Sequence, residues 1–344
     1  MNAPRAERRQ NDYPVIYDRR KNRENSSTAE VAKDRRLHML ITVMGPIADF
    51  LINPQITDII LNPDQTLWVE KIGKGRIKTD VKISENNASA IIKLIATQTD
   101  QGEVSKKNPI ISAEISGCGY RFEGVMPPIT ITPTFCIRKS ATTIFTLADY
   151  LKQKILNKEQ VKYIRNCVKN YKNIIIAGGT GSGKSTLTNA ILQEMSNYQD
   201  RLIIIEDTRE LRCDVENVTY MKSCEDVDMT KLLKSAMRQD PDRIIVGEVR
   251  GSEALALLKA WNTGHPGGIS TLHANNAKNA LVRLEQLILE GITTPQNQLI
   301  AESVDVVIYI KKIDPQCRKV TEIIEINGHK NEEYQTRVPL KNVK

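Results

Sequence analysis

The chain shows three successive patterns of hydrophobic and polar residues. Residues 1–36 hold few apolar side chains and no helical or strand period, whereas from residue 37 apolar positions recur at the spacing of helices and short strands. After residue 158, unbroken β-branched runs alternate with helix-length segments. This pattern predicts a basic flexible arm (1–36), an N-terminal α+β domain (37–138), a linker (139–157) and a C-terminal α/β domain (158–344).

Short strands and two helices are predicted in the N-terminal domain. Apolar residues at helical spacing predict one helix that ends before Asn53 and Pro54, and residues 87–99 predict another. Two further helices, capped by Thr146 and Asn157, are predicted between this domain and the next. Apolar or alternating runs between turn residues predict strands at residues 56–61, 67–72, 76–83, 110–115, 120–125 and 134–138.

A parallel sheet is predicted in the C-terminal domain. Residues 173–177, 201–205 and 243–246 are apolar, β-branched runs without alternation, which is typical of strands buried on both faces. Helix-length segments separate them, as in α/β proteins. Ligands of such sheets bind at the carboxyl ends of the strands, so the residues that follow these runs are the first candidates for a functional site.

Directly after the first run, the chain fits the phosphate-loop pattern G-x-x-x-x-G-K-[ST] at every fixed position. Its glycines let backbone amides approach phosphate oxygens at the start of the next helix. We expect Lys184 to reach the β- and γ-phosphates, Ser185 to offer its hydroxyl to Mg²⁺, and Thr186 to lie near the α-phosphate. The predicted nucleotide-binding residues are Gly178, Gly179, Thr180, Gly181, Ser182, Gly183, Lys184, Ser185 and Thr186.

Acidic residues follow the other two runs at the same predicted edge. Glu248 is the candidate for orienting the attacking water, and it follows Gly247, where an ordinary phosphate-loop ATPase has a metal-binding Asp. We expect Glu206 to compensate by contacting the metal through water, while Asp207, Arg209 and Glu210 shape its loop. Each acid taken alone also fits a turn residue or helix cap, but their shared edge favours the catalytic interpretation.

His273 ends a short strand-like run in a Gly-rich stretch, residues 264–275, which holds two of the four histidines of the chain. An imidazole at this edge can hydrogen-bond a γ-phosphate and report its loss, which predicts a sensor rather than a base. The alternative is a histidine that only satisfies a local polar contact. Metal binding is disfavoured because no Cys or second His has ligand spacing with it.

Composition narrows the class of protein. No apolar run approaches the roughly 18 residues of a membrane-spanning helix, and the N-terminus lacks the apolar core of a signal peptide, so we expect a cytoplasmic protein. The six cysteines include no C-x-x-C pair, which disfavours a zinc site or a disulfide framework. The net charge of +8 fits a solvated surface, while the basic arm suits contact with an anionic membrane or nucleic acid, or a solubilising tail.

Four motifs in order make the chain resemble the secretion or traffic ATPase superfamily, which powers type IV secretion, conjugation and type IV pili. They are the phosphate loop (178–186), an acidic box (204–211), a variant second nucleotide motif (238–251) and a His box ending in 271–275. Residues 257–268, 60–69 and 120–128 are similar to the TrbB family of conjugative-transfer ATPases. This resemblance covers about residues 37–312.

The resemblance implies an N-terminal α+β domain followed by a RecA-like ATPase domain that uses ATP and Mg²⁺. It also implies that Arg121 and Arg138 approach the nucleotide phosphates, although without it either fits a surface ion pair. It further implies a homo-hexameric ring, peripheral to the inner membrane, that contacts inner-membrane components of a type IV secretion apparatus. The chain lacks the Asn-Lys-x-Asp motif of GTPases, which favours ATP.

We therefore expect ATP hydrolysis that energises pilus biogenesis or DNA transfer in conjugation. One alternative is a motor for type IV pilus assembly or retraction. Another is a nucleotide-gated scaffold protein without significant turnover, which is compatible with Gly247 in place of the usual metal-binding Asp.

Overall fold

The computed structural model describes residue 42 and residues 44–97, 104–115, 119–139, 144–314 and 317–340. Contacts divide the chain into two units, Met1–Thr142 and Thr143–Lys344. The predicted basic arm and the start of the first predicted helix lie outside the described residues.

The first unit contains a six-stranded antiparallel sheet with the strand order β3-β2-β1-β6-β5-β4. The last three predicted strands are confirmed at their predicted bounds, and β2 and β3 lie one residue earlier than predicted. The predicted helix 87–99 begins at Glu85, because the Ser84 hydroxyl caps it by accepting from the amide of Asn87. The elements are α1 (Ile47–Ile52), β1 (Ile56–Leu61), β2 (Thr66–Lys71), β3 (Gly75–Lys82), α2 (Glu85–Ala96), β4 (Ile110–Ile115), β5 (Tyr120–Val125) and β6 (Thr134–Arg138).

One face of this sheet is apolar and the other is charged, as strand alternation requires. On the apolar face, Ile59, Phe122 and Ile137 share a buried cluster with Ile92 and Ile95 of α2. On the opposite face, one row of directly paired residues crosses all six strands. It consists of Arg76, Glu70, Asp58, Arg138, Arg121 and Glu114.

The second unit alternates helices with strands, as predicted. Its two leading helices are confirmed, and Thr146 and Asn157 each form a capping box with the residue three positions on. The elements are α3 (Leu147–Lys152), α4 (Lys158–Lys169), β7 (Ile174–Ala177), α5 (Lys184–Met195), β8 (Leu202–Glu206), β9 (Val218–Lys222), α6 (Met229–Ala236), β10 (Arg243–Val246), α7 (Glu253–Asn262), β11 (Ile269–Leu272), α8 (Ala277–Leu289), α9 (Asn297–Ser303), β12 (Val306–Lys312), β13 (Arg318–Lys330) and β14 (Glu333–Arg337).

The sheet of the second unit has eight strands in the order β14-β13-β12-β7-β11-β10-β8-β9. The six strands from β12 to β9 are parallel, which confirms the predicted parallel sheet, and β13 and β14 extend it antiparallel. Buried apolar clusters cover both faces, so β7, β10 and β11 are fully buried. The carboxyl ends of β7, β8, β10 and β11 therefore meet at one edge.

At the opposite, amino edge of this sheet, the structure buries a complete ion pair. Arg243, the first residue of β10, is fully buried, and its Nε donates to Asp200 Oδ2 at 2.6 Å. Its Nη2 donates to the Val168 carbonyl at 3.0 Å, and the guanidinium lies 3.9 Å from the ring centroid of Tyr171. The fold supplies every partner of this charge.

Candidate active site

The predicted phosphate loop connects β7 to α5. Gly178 is buried, and a Cβ added there would lie 2.4 Å from the Ile310 carbonyl oxygen and 2.5 Å from Ser182 Oγ, so only glycine fits. Gly179, Thr180 and Gly181 are exposed at the tip of the loop. The strand, loop and helix therefore occur in the order that the motif needs.

The loop has the features of a phosphate cradle. Within residues 144–314, all of which the structure describes, Ser182 Oγ is buried and has no hydrogen-bond partner. A buried hydroxyl without a partner is costly, and a phosphate oxygen would satisfy it. The amides at the start of α5 and the Lys184 amine add positive charge to the same loop. These residues fit a bound phosphate.

Lys184, the first residue of α5, turns its amine back over the loop. Its Nζ donates to the carbonyls of Gly178 at 3.2 Å and Gly179 at 3.4 Å, and lies 3.8 Å from Glu248 Oε1. The side chain is only 8% exposed, and burial lowers its pKa although Glu248 and Glu210 oppose that shift. A weakly solvated amine whose paired carboxylate lies as far as 3.8 Å away gains most from a phosphate ligand.

Glu248 and His273 meet beside this amine. Glu248 Oε1 lies 3.0 Å from His273 Nε2, and Lys184 Nζ lies 3.2 Å from the same nitrogen. Burial and the Lys184 charge lower the pKa of His273, so its imidazole is neutral near pH 7. Three predicted residues from different parts of the chain are thus brought into direct contact.

Arg250 holds the other oxygen of Glu248. Its Nε donates to Glu248 Oε2 at 2.6 Å, and its Nη1 donates to Asp207 Oδ2 at 2.7 Å. The guanidinium therefore links the carboxyl ends of β10 and β8. Glu248 keeps Oε1 directed toward His273 and Lys184, because Arg250 fixes the carboxylate from behind.

The predicted metal residue, Ser185, lies beside an acid of the neighbouring loop. Ser185 Oγ donates to Glu210 Oε2 at 2.6 Å. A hydroxyl and a carboxylate are oxygen ligands of the kind that Mg²⁺ prefers. Across the described ranges of the chain, no group of three or more His, Cys, Asp or Glu side chains forms a metal cage. A Mg²⁺ ion held here would take its other ligands from water and substrate phosphates.

Glu206 has a different environment from the other acids. Its side chain is 3% exposed, and its Oε1 accepts from the amides of Glu210 at 2.9 Å and Leu211 at 3.0 Å. Burial raises its pKa to about 7. A Cβ added to Gly247 would lie 2.8 Å from Glu206 Cγ, so the missing side chain at position 247 leaves the space that Glu206 fills. Glu206 thereby fixes the loop that carries Glu210.

The two predicted arginines lie in the first unit. Arg121 in β5 and Arg138 in β6 are direct cross-strand partners on the charged face of the antiparallel sheet. Arg138 Nε also donates to Asp58 Oδ1 at 2.9 Å. Their approach to nucleotide phosphates stays a prediction.

Sequence reasoning missed the specific parts of Glu210 and Arg250. The sequence predicts only that Glu210 shapes a loop, and it assigns no separate role to Arg250 within the motif at residues 238–251. The available signal was spacing, since Arg250 follows Glu248 by two residues and Glu210 follows Glu206 by four at the same sheet edge.

Fold and site together define a phosphate-loop nucleotide-binding domain joined to an N-terminal α+β unit. The chain belongs to the family described as "Type II/IV secretion system protein", whose model matches residues 44–341. This match continues past residue 312, where we expected the resemblance to end.

Individual relatives narrow the family membership. The chain is 44% identical over 283 residues to the conjugal transfer protein TrbB of Rhizobium radiobacter, which covers 82% of this chain and 87% of that protein. It is 29% identical over 337 residues to the type IV secretion system protein VirB11 of Bartonella henselae. That match covers 84% of this chain and 94% of VirB11. The predicted resemblance to TrbB and to the type IV secretion and conjugation ATPases is confirmed.

A solved structure supports the fold. The pilus retraction motor PilT with bound ADP is 21% identical and matches with a TM-score of 0.59, covering 89% of this chain and 84% of PilT. The predicted architecture, an α+β domain followed by a RecA-like domain with a parallel sheet, is confirmed. Within the described residues, no helix has the length and apolar content to cross a membrane.

Proposed function

We propose that this protein hydrolyses ATP with Mg²⁺ and energises conjugative type IV secretion as a homo-hexameric ring. The observation that carries the proposal is the meeting of Lys184, Glu248 and His273 at the phosphate loop, with side-chain atoms 3.0 to 3.8 Å apart. Phosphoryl transfer needs such a cluster, because catalysis rests on positioning and charge stabilisation. The 44% identity to TrbB supports conjugation as the process.

Each residue has its own part in the proposed hydrolysis. Lys184 neutralises charge on the β- and γ-phosphates, and the backbone amides of residues 178–186 bind phosphate oxygens. Glu248 accepts a hydrogen bond from the attacking water and aligns it with the γ-phosphate. His273, neutral at this position, donates to the γ-phosphate and loses that contact after hydrolysis.

Ser185 would hold Mg²⁺ directly, and Glu206 and Glu210 would act on the water shell of the ion. Bound Mg²⁺ supplies charge neutralisation to the phosphates. Gly247 does not argue for a protein without turnover, because the buried Glu206 carboxylate fills the space beside it.

The ring would bring Arg121 and Arg138 to a nucleotide. There the two guanidinium groups would offset the negative charge that develops on the transferring phosphoryl group. Closure on ATP and release after hydrolysis would then provide the mechanical step. The ring would lie at the cytoplasmic side of the inner membrane and contact secretion components there.

The alternative of a pilus motor has weaker support. The likeness to PilT concerns the fold alone, whereas relatives named for conjugal transfer share far more sequence with this chain.

The test is phosphate release from Mg-ATP measured against protein concentration, together with the mass of the protein in solution. Lys184→Ala should abolish turnover, while Lys234→Ala, an exposed lysine of α6, should leave it unchanged. Turnover should follow the hexamer-sized species. Near-normal hydrolysis by Lys184→Ala would contradict the site, and nucleotide binding without any hydrolysis by the wild type would favour the scaffold alternative.

A further inference from the structure

A second cation lies against the phosphate loop, and it comes from the antiparallel extension of the sheet. A Cβ added to Gly183 would lie 3.5 Å from Cδ and 3.9 Å from Nε of Arg318, the first residue of β13. Gly183 is the N-cap of α5. The stem and the guanidinium of Arg318 therefore pass directly over the last glycine of the loop.

Among the residues that the structure describes, no carboxylate pairs with the guanidinium of Arg318. No hydrogen bond or ion pair joins it to any residue in the described part of the chain, although the side chain is half-buried. Its charge opposes the burial-driven rise in the pKa of Tyr150, which places both groups in the same region. By contrast, Arg165 of this unit is paired with Glu194 and Arg337 is paired with Glu325.

The position of the Arg318 guanidinium, beside the N-terminus of α5, is electrostatically unfavourable without a bound anion. The N-terminus of α5 carries a partial positive charge, and a cation gains nothing from it. Lys184 adds a further positive charge, which Glu248 partly balances from the other side. An anionic ligand would turn this arrangement from unfavourable to favourable.

The strand order shows which part of a nucleotide would meet Arg318. β11 and β10, which carry His273 and Glu248 at their ends, lie on one side of β7, whereas β12 and β13 lie on the other. A terminal phosphate beside Lys184 and Glu248 leaves the rest of the nucleotide to extend toward β12 and β13. Arg318 is on that path.

We propose that Arg318 binds the base-proximal end of the nucleotide, its α-phosphate and ribose, through its planar guanidinium. The inference rests on the proposed function, because it assigns a residue to the same nucleotide site. Arg318 contributes to affinity and not to the chemical step, since it lies across the loop from Glu248 and His273.

The test is equilibrium binding of ATP and of ADP to the full chain, with steady-state hydrolysis measured alongside. Arg318→Gln, which keeps a long polar stem, should weaken ATP and ADP equally by about tenfold, since losing one charge-assisted hydrogen bond costs that much. The affinity of Arg318→Lys for both nucleotides should lie between those of the wild type and Arg318→Gln, because lysine keeps the positive charge but lacks the planar guanidinium with its paired donors. KM should rise with kcat unchanged. Lys319→Ala, the exposed next residue, is the control.

Other outcomes would overturn the inference. Unchanged ADP affinity, or a larger loss for ATP than for ADP, would show that Arg318 does not bind the end that both nucleotides share. A fall in kcat at constant KM would place Arg318 in the chemical step instead. A wild type that binds no nucleotide would refute the proposed function itself, whereas a wild type that binds while Arg318→Gln binds equally well refutes this inference alone.

Discussion

The two edges of the parallel sheet both bury a positive charge, but they satisfy it differently. At the amino edge, Arg243 is fully buried and paired with Asp200 at 2.6 Å, with a backbone carbonyl and the Tyr171 ring as further partners. At the carboxyl edge, Lys184 is also buried, but it contacts loop carbonyls, an imidazole and a carboxylate 3.8 Å away.

The difference separates structure from function. A buried charge whose partners are all supplied by the fold specifies the fold, and removing one partner leaves the other unpaired. A buried charge whose partners are distant and shared with other groups is only partly balanced, and a ligand of opposite charge can supply the rest. Mutations at the amino edge should therefore change the free energy of unfolding, whereas mutations at the carboxyl edge should change nucleotide binding and hydrolysis.

The largest expected effect on stability is at the amino edge. Arg243→Met should lower the free energy of unfolding by about 3–5 kcal/mol, because within the described residues it leaves the buried Asp200 carboxylate with only the Tyr171 hydroxyl as a side-chain partner. Arg238→Met, at an exposed position, should change it by less than about 0.5 kcal/mol. Denaturant unfolding measures both. Equal, small effects would remove the contrast between the two edges.

The nucleotide affinity of the folded Arg243→Met protein should stay unchanged, because Arg243 lies at the edge opposite the phosphate loop. Loss of affinity in fully folded variant protein would contradict the separation of the two edges.

A smaller effect, which depends on pH, is expected at Glu206. Burial raises its pKa from 4.5 to about 7, so the folded state holds the proton more tightly than the unfolded chain between those values. The free energy of unfolding should therefore fall as pH rises through this range, by up to about 3 kcal/mol.

Glu206→Gln isolates this contribution. The amide oxygen still accepts from the Glu210 and Leu211 backbone, while the titrating group is gone. Unfolding measured at pH 5 and pH 8 with a chelator present should show the wild type losing stability relative to the variant at the higher pH. Parallel pH dependence in both proteins would show that Glu206 is not titrating there.

Local sequence patterns predicted most of the fold. Some elements depend on few distant contacts, so the local sequence alone predicts them. They include the strands before Gly178 and Gly247 and the helices capped by Thr146 and Asn157. The shared edge of Lys184 and Glu248 followed from the rule that ligands bind at the carboxyl ends of parallel strands.

The remaining contacts depend on tertiary structure. The hydrogen bond from Ser185 to Glu210 and the position of Arg318 over Gly183 require the strand order and the antiparallel return of β13, which no local pattern encodes. Gly247 is the most informative case. The sequence showed a missing carboxylate, and the structure shows that a neighbouring one, Glu206, needs that space.

The most direct test of the account is Glu248→Gln, with ATP binding and single-turnover phosphate release measured on the same protein. If Glu248 orients the attacking water, phosphate release should fall by roughly 100-fold or more while the affinity for ATP stays within about threefold of the wild type. Phosphate release at the wild-type rate would contradict the assignment of catalysis to this edge of the sheet.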